Sequence, residues 1–313
     1  MTGDHARPVL PPPLPLPPPV RRWINATAQA LLQPPDTTPV DFAQPCGEEA
    51  LAGPDSVAWR VFKNPVALFV GGVAAVILEL AEPRVCAGVW EHSSFRADPV
   101  RRLQRTGLAA MVTVYAARSV AERMIAGVVR KHERIAGETP AGEAYRANDP
   151  GLLTWVQATA CFGFATAYSR YVGPLSGEEL DLLCAEGLPA ARLYGAVDAP
   201  ASAAGLRALF ASMQGRLEPS PAVFEFLGIM HGAPVFPAPL RPLQRTLVRA
   251  AVEITPGWVR DRLGLTAAHG LRGWEGPLVC QVGSLSDKVM LRSGPAAQSC
   301  LRLGLPADYL YHR

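Results

Sequence analysis

Apolar positions recur along this chain at helical spacing, three and four residues apart, through most of its length. Turn and capping residues divide the pattern into segments. Residues 21–32 predict a short amphipathic helix, followed by a Pro-rich loop to about residue 54. Asp55 stands as an N-cap for a helix over 56–62, and Asn64-Pro65 opens the next as cap and first-turn proline. The apolar run from Val66 to Leu78, closed by Glu79 and Glu82, is too short to span a bilayer. It predicts a fully buried core helix to about Ala81. Pro83 opens another helix, and Asp98-Pro99 repeats the Asx-Pro start. Ser119 caps a helix that Gly137 stops, and residues 137–148 form a polar loop or short hairpin. Asp149-Pro150 opens a long helix to about Val172, and Ser176 with Glu179 makes a capping box. Further helices are predicted over 201–215, 220–231, 239–254, 256–264, 275–292 and 295–303. No extended alternation of strand type occurs outside the hairpin. The expectation is an all-α fold: one globular domain over 21–313 with buried central helices, after a disordered Pro-rich tail over 1–20.

Two places on this pattern bear on chemistry. Ala121, Ile125, Val128, His132 and Ile135 follow at spacings of four, three, four and three, so His132 shares a buried helix face. Upstream, Arg102, Arg105 and Thr106 form R-x-x-R-T. A buried imidazole facing polar groups is what a haem site requires. It is also the ordinary setting of a core histidine satisfied by one hydrogen bond, and arginines three apart also suit a solvated helix face. The Gly71-Gly72 pair permits close approach of another helix or of a flat ligand.

Composition narrows the choices. Of 313 residues, 49% are hydrophobic and 18% charged, enough for a large core. Net charge is +3, from 30 basic and 27 acidic side chains, too balanced for a nucleic-acid partner. The six cysteines form no C-x-x-C and no zinc spacing; Cys161 and Cys184 sit in apolar helical contexts. They read as reduced thiols of a cytoplasmic protein, with pairing left open. No apolar signal core and no transmembrane segment is predicted. Dinucleotide and P-loop glycine patterns, H-E-x-x-H, the G-x-S-x-G elbow and Glu-x-x-His pairs are all missing.

Five blocks occur in order: D-S-x-x-W-R from Asp55, P-R-V-x-x-G-V-x-x-H-S-x-F from Pro83, D-P-x-x-R-L-x-R-T from Asp98, V-x-x-x-H-x-x-x-x-G from Val128, and Y-x-A-x-D-P-x-L-L-x-W-V from Tyr145. With them the chain resembles the MpaB/rubber oxygenase (latex-clearing protein) catalytic domain family, most strongly over 45–265. The resemblance implies an all-α protein that binds haem b and oxidises a hydrophobic small molecule with dioxygen, cleavage of isoprenoid double bonds included. It maps the R-x-x-K-T pocket group of rubber oxygenases onto Arg102, Arg105 and Thr106, with Arg105 in place of lysine. It maps the proximal iron ligand onto His132.

That resemblance assigns expected roles. A guanidinium stays protonated and cannot ligate iron, so Arg105 becomes a hydrogen-bond donor to bound oxygen, with Thr106 as second donor. Arg102 suits a haem propionate. Gln157 stands where many relatives read W-V-H-A-T, and is expected as a pocket hydrogen bonder. His92 either lines the pocket or closes its own helix. The competing expectation is a non-catalytic all-α protein that binds an apolar ligand or a partner and has lost the haem chemistry. A membrane-surface role is weaker, because no helix carries a long basic amphipathic face.

Overall fold

The computed structural model describes residues 37–92 and 94–312, together with positions 17–19 and 22. The tail expected over 1–20 and the helix over 21–32 fall outside the continuously described residues. Thirteen α-helices and one two-stranded hairpin make up a single mostly helical globular domain among the described residues.

Helix α1 (Val57–Phe62) is capped by Ser56, whose hydroxyl accepts from the amide of Trp59. The expected cap, Asp55, instead accepts from the hydroxyl of Tyr309 at 2.7 Å. Helix α2 (Pro65–Leu80) starts at Asn64, whose side chain accepts from the amides of Val66 and Ala67. Helices α3 (Pro83–His92) and α4 (Pro99–Tyr115) follow, α4 capped by Asp98. Helix α5 (Arg118–His132) begins one residue before the expected cap. Its first turn is held from a distance: the Glu48 carboxylate accepts from the amide and hydroxyl of Ser119. It ends at His132, five residues before Gly137, because the chain turns there into the hairpin β1 (Ala136–Glu138) and β2 (Ala144–Arg146).

Asp149 caps α6 (Pro150–Tyr171), and the Ser176–Glu179 capping box starts α7 (Gly177–Tyr194). The rest is α8 (Ala203–Ser212), α9 (Pro221–Gly232), α10 (Arg241–Ile254), α11 (Gly257–Leu263), α12 (Glu275–Ser286) and α13 (Pro295–Arg302). No single helix among the described residues is long and apolar enough to cross a membrane; α2 with α3 qualifies only as a pair bent by 110°.

Helices α2 and α6 form the axis of the fold. A Cβ on Gly163 would lie 2.3 Å from the carbonyl oxygen of Gly71, so the two helices touch backbone to backbone. Gly71 therefore serves helix packing. Gly72 meets nothing closer than the Phe164 ring, 4.0 Å from its would-be Cβ.

The buried apolar residues fall into two main clusters. The larger surrounds α2, α3, α6 and α8 to α12. The smaller is built on Leu108, Met111, Val112 and Tyr115 of α4, Ala121 and Ile125 of α5, and Ala296 and Cys300 of α13. Helices α4 and α5 pack on each other, on α1, on α7 and on α13, but have no extended contact with α2 or α6. Leu103 and Val114 of α4 reach the larger cluster. The α4–α5 layer is thus held off the α2–α6 axis, with α1 and α7 bridging the two.

Candidate active site

Four polar residues of these layers come together at their boundary. Glu79 ends the apolar run of α2, Arg102 lies in the first turn of α4, His132 ends α5, and Thr159 lies mid-way along α6. Each side chain is placed by its helix: α4 is started by Asp98, α5 by Glu48, and α6 by Asp149 and the glycine crossing.

Burial pushes the Glu79 carboxyl up to about 7, against the opposing pull of the Arg102 guanidinium and a long 3.5 Å bond from the Thr159 hydroxyl. Burial also lowers Arg102, while Glu79 raises it and Arg105 lowers it. His132 is lowered by burial and by the positive charge of Arg102. A histidine so placed is a neutral imidazole at neutral pH. Its Nδ1 is buried and has no hydrogen-bond partner. Buried polar atoms are nearly always paired, so an orphaned imidazole nitrogen marks a position that a ligand can take.

Apolar half-buried positions flank this group. On α2, Leu68, Gly72, Val76 and Glu79 follow at spacings of four, four and three, and all four are half-buried in a mostly buried helix. On α6, Val156, Ala160 and Phe164 do the same at spacings of four. The two stripes adjoin where the Phe164 ring stands beside Gly72. Together they are an apolar wall leading to one carboxyl, one guanidinium and one imidazole.

The expected site residues are brought together only in part. Arg102 and His132 meet electrostatically. Thr106 is exposed; its hydroxyl donates to the Arg102 carbonyl at 2.9 Å and accepts from the Arg102 guanidinium. It therefore positions Arg102, and donating elsewhere would require giving up that carbonyl. Arg105 is exposed, and its charge lowers Arg102. Gln157 lies about 200° around α6 from Thr159 and faces α7, where a Cβ on Gly187 would meet its Nε2 at 3.2 Å. His92 is exposed at the end of α3, its Nε2 3.2 Å from the hydroxyl of Tyr145, which donates in turn to Glu91.

Two residues of the cluster were not anticipated, Glu79 and Thr159. In the sequence pattern Glu79 marks only the end of an apolar run. A carboxylate that closes such a run on a helix continuing past it was the available signal, since buried carboxylates are rare without a partner. Thr159 carried no signal of its own. Two surface clefts, of about 610 Å³ beside the hairpin and about 370 Å³ beside α12, include none of these residues. Among the described residues no three His, Cys, Asp or Glu converge as metal donors, so a site here offers one imidazole.

Comparison with known proteins bears on the same residues. The family model described as ER-bound oxygenase mpaB/B′/rubber oxygenase, catalytic domain, matches residues 59–278, a span that contains Glu79, Arg102, His132 and Thr159. No curated protein and no solved structure matches the chain.

Proposed function

Because the chain belongs to the mpaB/B′ and rubber oxygenase catalytic-domain family, we propose that it is a haem b-dependent oxygenase acting on a hydrophobic small molecule and dioxygen. The observation that carries this reading is the buried, unpartnered Nδ1 of His132, on a ring kept neutral beside Arg102. Neutral imidazole is the usual protein ligand of haem iron. The residues fit such a group: an imidazole at one edge, a guanidinium for a carboxylate, and apolar half-buried stripes on α2 and α6.

In this reading His132 holds the iron and Arg102 pairs a propionate, with Thr106 orienting the guanidinium. Haem, when bound, supplies the dioxygen chemistry. The chain supplies the surroundings. Leu68, Gly72, Val76, Val156, Ala160 and Phe164 exclude water and receive an apolar substrate. Glu79, whose carboxyl titrates near 7, can hold or accept a proton at its carboxylate in a site otherwise lacking a base. Arg105 cannot replace a lysine as iron ligand, because its guanidinium stays charged.

The test is a haem titration of the purified protein, followed by absorption. Wild type is expected to take up haem stoichiometrically with a Soret band. His132→Ala is expected to lose the band while keeping its helical circular dichroism. A wild type that shows no band after haem addition would overturn the proposal and favour an apolar-ligand-binding protein without haem chemistry.

A further inference from the structure

Helices α6 and α7 carry a pair of thiols that the proposed site does not use. Cys161 of α6 and Cys184 of α7 bring their Sγ atoms to 3.5 Å. Other thiols face oxygen: Cys46 the carbonyl of Arg302, Cys86 the hydroxyl of Ser220, Cys280 the carbonyl of Arg170. A disulfide is about 2.05 Å long, so closure asks the two sulfurs to approach by roughly 1.5 Å. The two helices are also in contact one turn away, where a Cβ on Gly187 of α7 would lie 3.2 Å from the Nε2 of Gln157 of α6. Side-chain rotation and a small helix shift cover the remainder.

The chemistry of the pair is asymmetric. A hydrogen bond from Cys161 holds the Cys184 thiol below the ordinary range, whereas Cys161, donating that bond and partly desolvated, is pushed well above it. Cys184 is therefore the sulfur that reaches the thiolate first. Cys184 is buried and Cys161 half-buried, so a small oxidant reaches the pair from the side of Cys161.

We propose that Cys161 and Cys184 form a redox-modification site, which hydrogen peroxide converts to an intramolecular disulfide joining α6 to α7. The Cys184 thiolate attacks one peroxide oxygen; the O–O bond breaks, an S–OH forms, and the departing hydroxide takes a proton to become water. The Cys161 sulfur then displaces hydroxide from the sulfenic sulfur. The S–S bond forms, and the Cys161 proton leaves with that hydroxide as a second water. Two thiols lose two electrons and two protons, and one peroxide is reduced to two waters. The site is independent of the haem reading.

Trypsin separates the two cysteines, because Arg170 lies between them: Cys161 falls in residues 147–170 and Cys184 in 171–192. The full-length wild type is treated with stoichiometric hydrogen peroxide, blocked with iodoacetamide, digested without reductant and examined by mass spectrometry. The expected result is one linked species of these two peptides, lighter than their sum by the two hydrogens lost. Their separately alkylated forms should disappear and return after dithiothreitol. Cys184→Ser should abolish the linked species and leave Cys161 free to alkylate. If both peptides stay separately alkylated while the exposed Cys46 is oxidised, or if Cys161 links to another cysteine, the proposal is wrong.

Discussion

Helix α2 has two faces that behave in opposite ways. At Gly71 it touches α6 backbone to backbone, with no room for a methyl group. Two turns on, and to one side, Glu79 stands half-buried within electrostatic reach of Arg102, which in turn acts on His132, whose Nδ1 has no hydrogen-bond partner. Buried polar atoms are normally paired. The first face is closed by backbone contact, and the second gathers polar groups that are not all paired. The difference lies in which helices are brought together: α6 lies along α2, whereas α4 and α5 are held off by α1 and α7 and belong to a separate apolar cluster. At the boundary of the two layers Glu79, Arg102 and His132 all titrate away from their ordinary values.

Substitutions on α2 and α6 test that contrast directly. The largest effect is expected at the crossing. Gly163→Ala would place a methyl group 2.3 Å from the Gly71 carbonyl oxygen, against backbone that cannot move independently. A loss of about 3 kcal/mol or more is expected in urea unfolding, at the upper end of overpacking costs. A near-neutral result would mean that the helices separate easily, and the rigid axis would be lost from the account.

Glu79→Gln acts in the other direction. Its folded carboxyl titrates near 7, above the ordinary 4.5, so the folded state holds the proton through that window. Stability contributed by this group falls as pH rises from about 4.5 to about 7 and is constant above. Glu79→Gln should therefore stabilise by about 1–3 kcal/mol at pH 8, allowing for solvent at the half-buried carboxylate. The gain should vanish near pH 4.5. A destabilised variant at pH 8 would make Glu79 a paired structural group.

The smallest expected effect is at Gly72, the neighbour of Gly71. A methyl group there meets only the Phe164 ring, at 4.0 Å. Gly72→Ala should gain up to about 1 kcal/mol from helix propensity. Gly71→Ala, with its Cβ 2.8 Å from the Gly163 carbonyl, should destabilise. Opposite signs at adjacent residues would mark the boundary between the packed face and the open one. A loss at both positions would remove it.

Much of the fold was legible in the sequence because its signals are local. Asn64, Asp98, Asp149 and the Ser176–Glu179 box each cap the helix that they precede, within three residues of the amides they bind. The hairpin after α5 was legible from its turn residues. What was not legible depends on distance along the chain. Glu48 holds the start of α5 from 71 residues away, and Tyr145 meets His92 across 53. Glu79 gains its character only because α4 brings Arg102 opposite and α6 brings Thr159 beneath. Periodicity placed His132 on a buried face, but Val128, His132 and Ile135 are only half-buried, because the last turn of α5 runs past its packing partners; nor could it show that α5 has no extended contact with α2 or α6. Nor could spacing show that Gln157 faces α7, because it does not say which side of a buried helix meets which neighbour.

The central claim is that the unpartnered nitrogen of His132 is where haem attaches. The most direct measurement is the Soret absorption of His132→Gly with haem b, recorded without and then with added imidazole. The account predicts no ligated band in the variant alone and its return when imidazole fills the space that the side chain left. A band in His132→Gly equal to that of wild type, indifferent to imidazole, would contradict it and place the iron ligand elsewhere.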